Sequence, residues 1–196
     1  MGQHYKIVNL DKKKVIKPSG FLKLMEWNWV GNKTVSILLK LLKKEWLGDR
    51  VVIVGDYYNE DDDDYFGFNK EDFKTKEEDK EYYRGLYDVD EIFGWNEANI
   101  KEHLFELETE GPVETGYLIN ETRKLFCDIA KIPQNDGWRV SATVLLACGN
   151  GRGGGDYRSE NPDSEKIGDW AGEKISFSIK RPSDKYIEKQ YYFEEK

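Results

Sequence analysis

The sequence predicts an α+β fold, a mostly antiparallel sheet with packed helices, built from a hairpin-helix-strand unit that occurs twice. Three observations predict it. YKIVNLDKKKVI (5–16) and YLINETRKLFCDI (117–129) are each a Tyr-led apolar stretch, a polar turn with basic residues, and a second apolar stretch. That pattern reads as a β-hairpin. TVSILLKLL (34–42) is answered by TVLLACG (143–149), and WLGDRVVIV (46–54) by WAGEKISFS (170–178), in the same order. In the last pair Trp and Gly are identical, an acid and then a base follow, and Val51 corresponds to Ile175. An internal duplication is the simplest reading of such ordered matches.

Taken in order, 5–16 is the first hairpin. Residues 33–45 form a helix with Val35, Leu38, Leu41 and Leu42 on one face and lysines on the other. Residues 49–55 are rich in Val and Ile and read as a buried strand. Helices are expected near 76–86 and 96–108, the second from Ile100, Leu104, Phe105 and Leu107. The organisation is therefore a first half (1–58), an acidic insertion and helical linker (59–112), and a second half carrying a glycine-rich loop (113–196), in one compact domain.

The chain has 196 residues, six Trp and twelve Tyr, enough to fill a core and line a pocket. Its net charge is −8, and residues 59–81 account for most of it, with eleven acids against four lysines. Such density of like charge reads as a solvated loop with a short helix. Asp61–Asp64 lack the spaced ligands and turn glycine of a calcium loop. No basic stripe exceeds the Lys12–Lys14 and Lys40–Lys44 clusters, so nucleic acid is not an expected partner. No apolar run approaches the ~20 residues that span a bilayer. The N-terminus lacks the apolar core of a signal peptide, and Lys6 stands where a myristoylation site needs Ser or Thr. No membrane partner is expected, and the cytoplasm is the default location. Cys127 and Cys148 sit in apolar surroundings and read as buried free thiols. With His4 and His103 far apart, neither a zinc site nor any other metal or cofactor is expected.

The stretch LLACGNGRGGGDYRSEN (145–161) places five glycines in positions 149–155. GNGRGG formally fits a dinucleotide fingerprint, but DYRSENPDSE follows where a helix should begin. Two readings remain. In one, Gly149 ends a helix and the rest is a connector. In the other, the loop is an anion-binding nest. Asn150, Gly153 and Gly154 then belong to the cradle. Arg152 and Arg158 supply bidentate donors, Asp156 accepts from a polar edge, and Tyr157 and Trp170 stack on a ring. Trp46, Asp49, Arg50, Asp56 and Tyr57 make the matching half-site in the first repeat. No Ser-His-Asp or Cys-His grouping is visible, so no catalytic residue is assigned. Two carboxylates such as Asp56 and Asp156 would do acid–base work or hold a divalent cation if the fold brought them together.

The opening GQHYKIVNLDKK, FLKLMEW (21–27), GNGRGGGD (149–156) and the W-x-G-D/E-R/K blocks at 46–50 and 170–174 resemble a family of small uncharacterised bacterial and phage-associated proteins. Its members open M-G-Q-Y-Y-K-x-V-N-L-D-K-K and carry a GNGRGGGD loop followed by a W-A-G-D-R strand. The blocks cover about a third of this chain, and GNGRGGGD is the specific part. Here the continuous block is broken, with the loop in the second half and WLGDR in the first. The resemblance brings no established activity and so implies no catalytic residue. It implies that the loop and the Trp-Gly-acid-base strand belong to one site.

The expected function is non-catalytic binding, by sequestration, of a small anionic ligand, a nucleotide or nucleotide-derived immune signal. The alternatives are a protein-interaction or inhibitor module working through the acidic segment 59–81, and a metal-dependent nucleotide-cleaving enzyme. Homo-oligomer formation is a further expectation.

Overall fold

The computed structural model describes residues 2–16, 23–56, 110–134, 137–151, 153–157 and 166–191. The acidic segment 59–81, the expected helices 76–86 and 96–108, and Tyr57, His103, Arg152 and Arg158 lie outside the described residues.

The protein is α+β with a mostly antiparallel sheet. The hairpin β1 (Tyr5–Asn9) and β2 (Lys14–Ile16) leads through a single turn, α1 (Leu24–Trp27), into the helix α2 (Lys33–Lys43), and then into β3 (Asp49–Gly55). A second hairpin, β4 (Tyr117–Asn120) and β5 (Leu125–Asp128), precedes β6 (Ala147–Cys148), β7 (Lys174–Ser178) and β8 (Ile187–Glu188). The strand order is β2-β1-β3-β7-β4-β5-β8, with β6 paired to β3. Two of the pairings, β3 with β6 and β5 with β8, are parallel.

Both hairpins turn the same way and for the same reason. Asn9 accepts from the Lys12 N–H at 2.9 Å, and Asn120 accepts from those of Thr122 and Arg123 at 3.0 and 2.9 Å. These are local side-chain turns. Lys13 and Lys124 take the left-handed conformation, with φ of 51° and 57°. The same asparagines donate outward, Asn9 to Asp49 at 2.8 Å and Asn120 to Glu173. Lys12 then pairs with Asp49, and Arg123 with Glu173. The Trp-x-Gly-acid blocks are thus latches that tie each hairpin turn to the start of a central strand. Gly48 and Gly172 make this geometry, with φ of 76° and 73°. β3 and β7 meet there, Arg50 opposite Lys174.

The elements between hairpin and strand differ. α2 is an 11-residue helix capped by Asn32, whose side chain accepts from Thr34 N–H at 2.8 Å. Residues 110–113 cover part of its surface: Lys40 donates to the Gly111 carbonyl at 2.6 Å, and Ser36 Oγ accepts from Val113 N–H at 2.9 Å. The matching stretch, 143–149, is not an α-helix. It is a 3-10 turn (Ala142–Leu146) that runs directly into β6. Ala142 through Cys148 are all buried, so no polar face exists to give the segment a helical period. The core joins α2 (Val35, Leu38, Leu42) to the sheet (Ile7, Ile53, Leu118, Ile175), with Trp46 and Trp170 inside it.

Candidate functional site

The site begins with the β3–β6 pairing. Ile53 and Val54 lie opposite Ala147 and Cys148, so the glycine loop leaves the sheet beside Gly55. Tyr5 also pairs with Gly55, across β1 and β3. One end of the sheet therefore gathers residues 2–5, Gly55–Asp56 and the loop 149–157.

The loop is braced from within. Gly149, Gly151 and Gly155 have φ of 82°, 91° and 89°, the region only glycine enters freely. The Asn150 amide spans the loop, accepting from Tyr157 N–H and donating to Tyr157 C=O, both at 2.9 Å. Asp156 is 2% exposed, and each of its oxygens is engaged. Oδ1 accepts from the Tyr5 hydroxyl and Oδ2 from Gly153 N–H, both at 2.8 Å. Burial, and then the Asp156 charge, push the Tyr5 phenol far above its usual pKa, which keeps it a donor. The Gly154 carbonyl accepts from Gln3 N–H at 3.3 Å and that of Gly155 from Met25 N–H at 3.1 Å. Tyr157 sends its hydroxyl to the Asn28 carbonyl at 2.9 Å.

Gln3 lies across this junction, fully buried. A Cβ added to Gly153 would collide with the Cβ of Gln3, and one added to Gly55 would collide with its Nε2. Neither Nε2 nor Oε1 has a hydrogen-bond partner. On the outer side, Asp56 accepts from His4 N–H and donates its own N–H to the His4 carbonyl, both at 2.9 Å. The His4 imidazole lies 3.9 Å from its carboxylate.

The structure thus brings together Asn150, Gly153, Gly154, Asp156 and Tyr157, with Asp56 nearby. It does not bring in the others. Trp170 is 0% exposed, packed edge-to-face on Tyr191 at 5.8 Å, so stacking on a ligand ring is closed to it. Tyr157 is buried with its hydroxyl engaged, so its expected stacking role is also corrected to a bracing one. Trp46 is a core residue as well. Asp49 is taken by Asn9 and Lys12, and Arg50 by a two-nitrogen contact with Asp11 at 2.8 and 2.6 Å. Both sit at the far end of β3, roughly 20 Å from Asp56 at the usual strand rise. The first-half site therefore does not assemble, and the Trp-Gly-acid-base strand contributes to the loop only through Gly55–Asp56 at its opposite end. Of the carboxylate pair expected for metal or acid–base work, Asp156 is held by two protein donors, the Tyr5 hydroxyl and the Gly153 N–H, and Asp56 by the His4 N–H. Among the described residues no group of three or more His, Cys, Asp or Glu could hold a metal.

Sequence reasoning missed Gln3, Tyr5 and Asn28, although GQHY stands in the opening already singled out. It also missed an aromatic pair. Trp138 is 60% exposed and meets Trp29 edge-to-face at 5.1 Å, and Trp29 follows the Asn28 that receives Tyr157. Away from the loop, a hollow of about 260 Å³ lies between the start of α2 and Gly111–Pro112, lined by Lys33, Ser36, Ile37 and Lys40. No helix among the described residues is long and apolar enough to cross a membrane.

The chain matches no protein-family model, no curated protein and no solved structure.

Proposed function

We propose that this protein binds a small anionic ligand, a nucleotide or nucleotide-derived signal, at the glycine loop and sequesters it without converting it. One observation carries the reading: the loop is braced, not slack. A connector has no need of a buried carboxylate under it and an asparagine across it. Ordering a glycine-rich backbone costs about 1–2 kcal/mol per residue, and the bonds of Asn150 and Asp156 offset that cost before any ligand arrives. Preorganisation of this kind strengthens binding by lowering the ordering cost at the moment of association.

Two sequence features support the charge of the ligand. Arg152 stands between Gly151 and Gly153 of the braced loop, and Arg158 follows Tyr157. Arginine is scarce in a chain whose positive charge is mostly lysine. The ring of a nucleotide has an aromatic surface available in Trp138 and Trp29, in place of Trp170.

The test is mass spectrometry of purified protein, native and then heat-denatured, with thermal shifts on adding ATP, GTP, CTP and UTP. A released nucleotide, or a shift that saturates with one of them, supports the reading. An empty protein with no shift for any of them overturns it.

A further inference from the structure

The side chain of Lys23 lies along the glycine loop and the N-terminal segment at once. A Cβ added to Gly155 would collide with its Cβ, Cγ and Cδ, and one added to Gly2 would collide with its Cε. Two glycines far apart in the chain therefore leave room for one lysine stem. The segments around it are tied together: Gly2 forms a parallel bridge with Gly154, and the Met25 N–H donates to the Gly155 carbonyl at 3.1 Å. The end that carries the ammonium is the end beside Gly2, and Gly154, across the bridge, is exposed. The Lys23 side chain is itself 40% exposed, so it is within reach of a ligand arriving from solvent. Among the described residues its ammonium forms an ion pair only with Glu26, at 3.7 Å, beyond hydrogen-bond distance.

An exposed ion pair of this kind contributes little to stability, so Glu26 does not account for a stem laid between two glycines. Packing alone does not account for it either, since an apolar side chain would fill the same space without a charge at its end. A lysine ammonium is a compact charge with three donor hydrogens, and such a group beside a glycine-rich backbone suits the oxygens of a phosphoryl group. We infer that Lys23 is a binding residue of the glycine-loop site, its ammonium pairing with the phosphoryl charge of the ligand. The inference rests on the proposed binding function. It adds a cation contributed from outside the loop, and it makes the recognised group a phosphate.

The experiment compares wild-type protein with Lys23→Met for binding of ATP, GTP, CTP and UTP by calorimetry, at low and at high sodium chloride. Methionine keeps an unbranched stem between Gly2 and Gly155 and removes the charge. The expected result is that Lys23→Met binds the preferred nucleotide roughly ten-fold more weakly at low salt, the scale of one hydrogen bond to a charged group. The gap between the two proteins should narrow as salt screens the lost charge. Equal affinity of the two proteins at low salt overturns the inference. A gap that salt does not narrow also overturns it, by assigning the loss to packing of the stem. In both cases wild-type binding leaves the proposed function standing. Absence of binding by wild type for every nucleotide overturns the function and this inference with it.

Discussion

The Tyr5 hydroxyl donates to Asp156 Oδ1 at 2.8 Å, joining residues separated by 151 positions in the chain. Through this bond the first strand holds the glycine loop from below. Asp156 passes the constraint on, since its second oxygen takes the Gly153 N–H.

Tyr5→Phe removes the donor and leaves a buried carboxylate with one partner fewer. The expected loss is about 1.5–3 kcal/mol, the range for hydrogen bonds to charged groups. Urea unfolding measures it. In a double-mutant cycle with Asp156→Asn the two losses should be strongly non-additive, because the residues touch. Additive losses would show that the bond contributes nothing.

Asn150→Ala removes both bonds that close the loop, each worth about 0.5–1.5 kcal/mol. Global stability should fall by about 1–3 kcal/mol. Amide exchange should quicken at Tyr157, whose N–H loses its acceptor. Unchanged protection at Tyr157 would mean that the clamp does not hold the loop.

Arg152→Ala should weaken nucleotide binding by about 1.5–3 kcal/mol, with melting temperature unaltered in the absence of ligand. Calorimetry beside wild type measures both. Full retention of affinity would remove Arg152 from the site.

At the far edge of the sheet, Lys131 foremost, then Gln190 and Arg181, hold the Glu188 carboxyl at a pKa of about 2, below its ordinary 4.5. An acid whose folded value is depressed contributes stability above its unfolded value and loses it as pH falls through the folded one. Wild type should therefore exceed Glu188→Gln in stability at pH 6, with the gap closing between about pH 4.5 and 2. Thermal melts across that window test it. A gap that persists at pH 2 would assign the difference to something other than this charge.

How far the sequence could be read depended on whether a signal was local. α2 announced itself because Val35, Leu38, Leu41 and Leu42 recur at helical spacing. β3 did so through its unbroken Val and Ile. Residues 143–149 misled because a fully buried apolar run such as 143–148 has the same composition in a helix and in a strand. The loop stood out by its glycines, but the roles within it were not legible. Asp156 and Tyr157 have the chemistry of ligand-binding residues, and the same chemistry suits a brace. Trp170 and Trp46 illustrate the limit again, since an aromatic beside a glycine suits a binding face as well as a core. Gln3 carried no local signal at all, because burial without a partner is a property of the assembled fold.

The sequence by itself determined the hairpins, α2, the central strands and the class of fold, because periodicity and turn chemistry act between residues a few positions apart. Asn9 and Asn120 shape their turns through the next three or four residues. Only the tertiary structure decided that β6 lies parallel to β3, and with that everything at the site. The pairing of Val54 with Cys148 brings residues 2–5, Gly55 and the loop to one end of the sheet. No local pattern encodes a pairing between segments so far apart. It is selected by the burial of Ala142–Cys148 against the sheet, where the Val144 and Leu145 carbonyls accept from the Gly168 and Trp170 N–H groups at 3.0 and 2.7 Å and Ala147–Cys148 find their partners in β3.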